Sequence, residues 1–267
     1  MTMKPLYLAA AVSMLALPGS ALAQRSNDPH PPRYDDLMTA LCKTPAQEKS
    51  CVVGDKRLTY WISFDTVVDG RKWYTAVATS EPAAGFPDFV PPDTKLGLSQ
   101  ITYELKNGSW QVLTRQLDLG GIYAASRTGN PPMEDDSGDY FTKPLSDGVL
   151  VGYPNRMLAG EGQTLHAHAM FRSAPDKSGR WLFGGNIVDA SDNDAGCDRE
   201  SAPDTCFATR ASLSLTGQKT GQWPDIKVDL TGTLPGPGGK ARAAKASDAS
   251  VWRYDAAKRE YTTPEAR

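Results

Sequence analysis

The chain has 267 residues, 40% of them hydrophobic and 22% charged, with a formal net charge of -2 at pH 7. A balance so close to zero gives no electrostatic footing on nucleic acid or on an anionic membrane surface, so neither is expected as a partner. The length fits one large all-β domain with a core of its own.

Lys4, the apolar run from Leu6 to Leu17 and the small-residue site Ala21-Leu22-Ala23 form the three parts of a secretory leader over residues 1–23. The run is too short, and interrupted too soon by Pro18 and Gly19, to anchor in a bilayer. Cleavage after Ala23 leaves 244 residues beginning at Gln24, which is not the cysteine that a lipid anchor uses, and loss of Lys4 takes the net charge to -3. The expected location is periplasmic or secreted, with no membrane anchor after cleavage. Four cysteines in such a chain imply two disulfides, for which three connectivities exist. Local pairing is expected, Cys42 with Cys51 and Cys197 with Cys206, each pair nine positions apart.

Residues 24–56 read as a proline-rich arm followed by a short disulfide-tied helix. Pro29, Pro31 and Pro32 keep the arm extended, and Tyr34 to Lys43 has Asp35 and Asp36 at its front and Leu37 and Leu41 four apart. Residues 57–267 read as the all-β domain. Arg57 to Thr66 and Lys72 to Ser80 flank Asp69-Gly70, and Ile101 to Leu105 and Trp110 to Val112 flank Asn107-Gly108, both of them hairpin signatures. From Ala124 to Asp147 periodicity fails, in a stretch carrying Glu134, Asp135, Asp136 and Asp139. Strands resume at Gly148 to Tyr153, Gln163 to Arg172, Trp181 to Val188, Phe207 to Leu215, Ile226 to Thr233 and Val251 to Tyr254. Lys240 to Ser247 forms a basic link, and a closing hairpin turns at Asp255 to Lys258. The fold expected is a single antiparallel domain, a sandwich or barrel-like meander of hairpins. Turn glycines just before Trp110, Trp181 and Trp223 suggest indoles covering hairpin ends. Steps of 37, 71 and 42 residues from Trp73 onward keep a small propeller as the alternative.

Gln222-Trp223-Pro224-Asp225-Ile226-Lys227-Val228, followed by Gly232, resembles the phrase of FG-GAP and VCBS-type repeats, and Trp252-Arg253-Tyr254-Asp255 is similar to the ends of many exported bacterial β-proteins. The resemblance covers the last third of the chain. It implies β-propeller geometry and interaction or calcium binding, although the repeat family's D-x-D-x-D-G loop is not reproduced.

The stretch from Asp189 to Cys206 reads as a long acidic loop, carrying Asp189, Asp192, Asp194, Asp198, Glu200 and Asp204 against Arg199 alone. Calcium takes six to eight oxygens, and Asp189, Asp192, Asn193, Asp194 and Glu200 are the candidate ligands. An EF-hand is excluded, because Asp194 stands where its glycine belongs and the flanks are strands. His166 and His168, two apart on a strand, face the same way and would start a metal site only with a third ligand that the sequence does not place. Ser191-Asp192-Asn193 and Lys219-Thr220-Gly221 match two of the three signatures of serine β-lactamases, but the S-x-x-K that supplies the nucleophile is missing. Trp73, Phe86, Phe89 and Tyr123 are candidates for a sugar- or peptide-binding rim. These patterns favour an exported binding or inhibitory protein, of the immunity or enzyme-inhibitor kind, whose partner is a protein or cell-envelope ligand. The alternatives are a calcium-stabilised structural module and a carbohydrate- or cell-wall-directed hydrolase with distant paired carboxylates.

Overall fold

The computed structural model describes residues 29–86, 90–91, 94–125, 129–135, 140–160, 162–198, 200 and 202–263. The expected leader falls outside them. One helix, α1 (Tyr34–Cys42), precedes β1 (Ser50–Val53), β2 (Lys56–Val68), β3 (Arg71–Pro82), β4 (Lys95–Lys106), β5 (Ser109–Tyr123), β6 (Met133–Glu134), β7 (Phe141–Leu145), β8 (Gly148–Gly160), β9 (Gln163–Ser173) and β10 (Trp181–Asp192). There follow β11 (Thr209–Thr220), β12 (Trp223–Pro235), β13 (Ala241–Ala243), β14 (Ser250–Asp255) and β15 (Glu260–Thr262). Every pairing is antiparallel. No helix among the described residues is long and apolar enough to cross a membrane.

The strands form three sheets: β1-β2-β3-β4-β5; β10-β9-β8-β6, with β7 also on β8; and β11-β12-β14-β15, with β13 on β12. Asn107 and Gly108 have φ of 53° and 75°, and Asp69 and Gly70 of 50° and 75°, as two-residue type I′ turns require. Both hairpins therefore close where the sequence places them. Helix α1 lays Leu37, Met38 and Leu41 on one face of the first sheet, against Leu58, Ala76 and Ile101. The other face packs Ile62, Phe64, Trp73 and Val77 onto Val151, Phe171 and Trp181 of the second sheet. The far side of the second sheet, through Leu150, Met170 and Ile187, meets Trp223, Ile226, Val228 and Tyr261 of the third. The sheets thus stack in layers with one core between each neighbouring pair and a third beneath α1, an arrangement without the radial blades of a propeller.

Two bulges make this layering possible. Leu58 and Ile62 are both even-numbered, yet they serve opposite faces of β2, because the register shifts between Tyr60 and Ile62. Phe183 and Ile187 likewise serve opposite faces of β10, across a shift between Phe183 and Asn186. One inserted residue reverses the alternation of side chains, and with it the layer that each half of the strand faces.

Both disulfides are local, Cys42–Cys51 and Cys197–Cys206. Such bonds persist in oxidising compartments, outside the cell or in the periplasm. The tryptophans correct the expectation that they cover hairpin ends: Trp73, Trp181 and Trp223 are fully buried between layers. Trp110 stays half-exposed, donating its indole N–H to Pro29 O at 3.0 Å. The aperiodic stretch from Ala124 contains β6 and β7, and the basic link contains β13, whose Arg242 makes a bidentate pair with Asp248 just beyond the link, at 2.7 and 2.8 Å.

Candidate functional site: an imidazole–carboxylate corner

Alternation along β9 places His166, His168, Met170 and Arg172 on the face toward the third sheet, with Ala167, Ala169 and Phe171 opposite. Strand β10 supplies the first partners. Val188 pairs with Ala167 and Ala190 with His166, which leaves Asp189 as the extra residue of a second bulge in that strand. Asp189 is buried and takes the Nδ1 of His168 at 2.5 Å. Asp192, opposite Thr164, meets His166 Nε2 at 2.7 Å. From the other side Asp135, just past β6 and bonded through its backbone N–H to Pro154 O, meets His166 Nδ1 at 2.6 Å. One imidazole therefore ties the ends of β6 and β10 to β9.

The protonation of His166 follows from this geometry. A neutral imidazole has one N–H and could satisfy only one of two flanking carboxylates, whereas the imidazolium donates to both. Burial pushes the group toward its neutral form, but the hydrogen bonds and charges of Asp192 and Asp135 outweigh burial, and the pKa is raised above the ordinary 6.5. His168 is arranged differently. Its Nε2 has no hydrogen-bond partner among the described residues, and its ring leans on Phe141, centroids 5.5 Å apart. Phe141 reaches it by lying across Gly152, where a Cβ would come within 2.3 Å of the phenyl ring. Only glycine leaves room for that approach.

Beyond Asp192 the chain enters the stapled loop. Asn193 bridges its base, its side-chain amide donating to Thr205 O at 3.0 Å and accepting from Phe207 N at 2.8 Å. The Thr209 hydroxyl accepts from Ser191 N at 2.6 Å and donates to Ser191 O at 2.7 Å. Cys197–Cys206 closes the middle, and a 3-10 turn at Pro203–Thr205 shortens the return. Asp194, Glu200 and Asp204 are exposed, the last lying 3.8 Å from Lys240.

The five candidate calcium ligands are therefore spread over different tasks. Asp189 and Asp192 are strand residues held by imidazoles, Asp192 also accepting from Asp194 N through Oδ1 at 3.1 Å. Asn193 is a loop brace, and Asp194 and Glu200 face solvent. Among the described residues no group of three or more His, Cys, Asp or Glu is arranged to hold a metal ion. The acidic loop is also shorter than expected, since β10 runs on to Asp192. Of the candidate rim aromatics, Trp73 is core, Phe86 packs against the core and Tyr123 is exposed, while Phe89 lies outside the described residues. Asp135 was visible only as one acid among several in an aperiodic stretch. Its signal was the pair of same-facing histidines, which calls for counter-charges without saying where they come from. No protein-family model, no curated protein and no solved structure matches the chain.

Proposed function

We propose that the chain is an exported binding protein that acts through the stapled loop on a basic protein partner, as an inhibitor or immunity protein does. The observation that carries this reading is a loop pinned at its base by the Asn193 and Thr209 hydrogen bonds and across its middle by Cys197–Cys206, with Asp194, Glu200 and Asp204 in solvent. A loop ordered before binding loses less entropy on docking. Acidic groups on it steer and orient a cationic partner. His166 spends both ring nitrogens on carboxylates, which suits a support better than a proton carrier. Two disulfides agree with an oxidising compartment, and export itself rests on the leader expected over residues 1–23.

The test is binding to a panel of basic secreted enzymes, a cationic lysozyme among them, by the wild type and by D194N/E200Q/D204N at low and physiological salt. The expected result is binding that weakens about tenfold or more in the triple variant and also weakens with salt. Retention of no panel member, or equal binding by both proteins, would take the loop out of the interface.

The His168–Asp189 pair favours a second reading, a cell-wall-directed hydrolase. A buried carboxylate that orients an imidazole with a free Nε2 is the arrangement of a general base. Release of soluble fragments from purified peptidoglycan, abolished in H168A, would support this reading, and no release by the wild type would set it aside.

A further inference from the structure

All three sheets meet beside Gly185 of β10. Two recesses lie side by side there. One, of about 240 Å³, is walled by Tyr123, Met157, Val188 and Trp252. The other, of about 250 Å³, is walled by Lys95, Asp118, Lys258 and Arg259. Gly121, Phe183, Gly185 and Glu260 border both, so they are the apolar and the charged ends of one cleft. At the junction Lys95 is already committed: its ammonium lies 3.1 Å from Glu260 and 4.3 Å from the centre of the Tyr123 ring. Lys258 and Arg259, at the β14–β15 turn, form no ion pair among the described residues, and of the two acids lining this recess Asp118 is the one that Lys95 does not engage. The charged end therefore carries an excess of one positive charge. The apolar end leaves Tyr123 40% and Val188 37% exposed side by side in the same recess, where an apolar ligand would cover both.

We infer that this cleft binds a small amphipathic anion: a flat apolar ring system seated between Tyr123 and Trp252, with a carboxylate, sulfonate or phosphate reaching Lys258 and Arg259. The pairing of an aromatic wall with a few polar groups at one end is the usual composition of a small-molecule site, and a junction between sheets is a usual place for one. The charge excess selects an anion over a neutral ligand of the same shape. This site is independent of the stapled loop.

The experiment compares two fluorescent probes that differ in the anionic group, 8-anilinonaphthalene-1-sulfonate and the uncharged N-phenyl-1-naphthylamine, on the folded protein. The wild type is expected to bind the sulfonate at one site and more tightly than the neutral probe. K258E/R259E should weaken the sulfonate about tenfold or more while leaving the neutral probe within about twofold, and Y123S should weaken both. All these side chains are at the surface or line the cleft, and an unchanged melting temperature confirms that the variants are folded. Absence of sulfonate binding, binding unchanged in both variants, or equal loss of the two probes in K258E/R259E would overturn the proposal.

Discussion

At the scale of single residues, His166 makes stability depend on pH with a definite sign. Its pKa in the folded chain is raised above 6.5, so its contribution is fully present below about pH 6.5 and is lost as pH rises through the folded value. The expected outcome is that wild type exceeds H166N in the unfolding free energy measured with urea by about 1–3 kcal/mol in mildly acidic solution, and that this gap narrows toward pH 8.5. A gap that widened with pH would mean that the imidazole sits neutral in the fold. The same residue shows what sequence could disclose. That His166 and His168 share a face follows from a period of two. That three aspartates meet them does not, because Asp189 arrives through a bulge and Asp135 from a stretch without periodicity.

At the scale of elements, the hairpins were legible and the bulges were not. Asn107-Gly108 and Asp69-Gly70 announce themselves because few residue pairs tolerate two positive φ angles in succession. The bulge between Tyr60 and Ile62 has no comparable residue signature. It is fixed by which core each half of a strand must meet, and that is settled only when distant sheets assemble. Gly185 marks the bulge that turns β10 from one core to the other. Its φ is 82°, and a Cβ there would lie 2.6 Å from the Cβ of Glu260. Gly185→Ala is therefore expected to cost about 1–3 kcal/mol in chemical denaturation, from backbone strain together with displacement of the β14–β15 hairpin. An alanine tolerated without loss would mean that the hairpin can retreat from β10.

At the scale of the whole molecule, the two disulfides provide an internal comparison. Each joins cysteines nine positions apart, so the chain-entropy contribution is the same, about 2.5–3 kcal/mol. Their surroundings differ. Cys42 and Cys51 belong to the buried cluster beneath α1, whereas Cys197 and Cys206 are half-buried at the rim. Replacement of Cys42 and Cys51 by serine should consequently lower the guanidinium midpoint further than the same change at Cys197 and Cys206, since only the first places hydroxyls in an apolar core. Equal losses would show that loop closure, not burial, sets the value of both.

The covering of the second sheet on both sides has a temporal meaning. Leu150, Met170 and Ile187 share a buried cluster with Trp223, Ile226, Val228 and Tyr261 of the third sheet. Tyr261, in the three-residue β15, is buried and donates its hydroxyl to Pro224 O at 2.7 Å. A chain delivered from its N-terminus has two finished sheets by Asp192 and still shows water an oily flank. Arrival of the final hairpin is the event that makes the molecule safe from its own copies, and shortening the chain by a few residues before Tyr261 should yield aggregates in place of a slightly weaker protein.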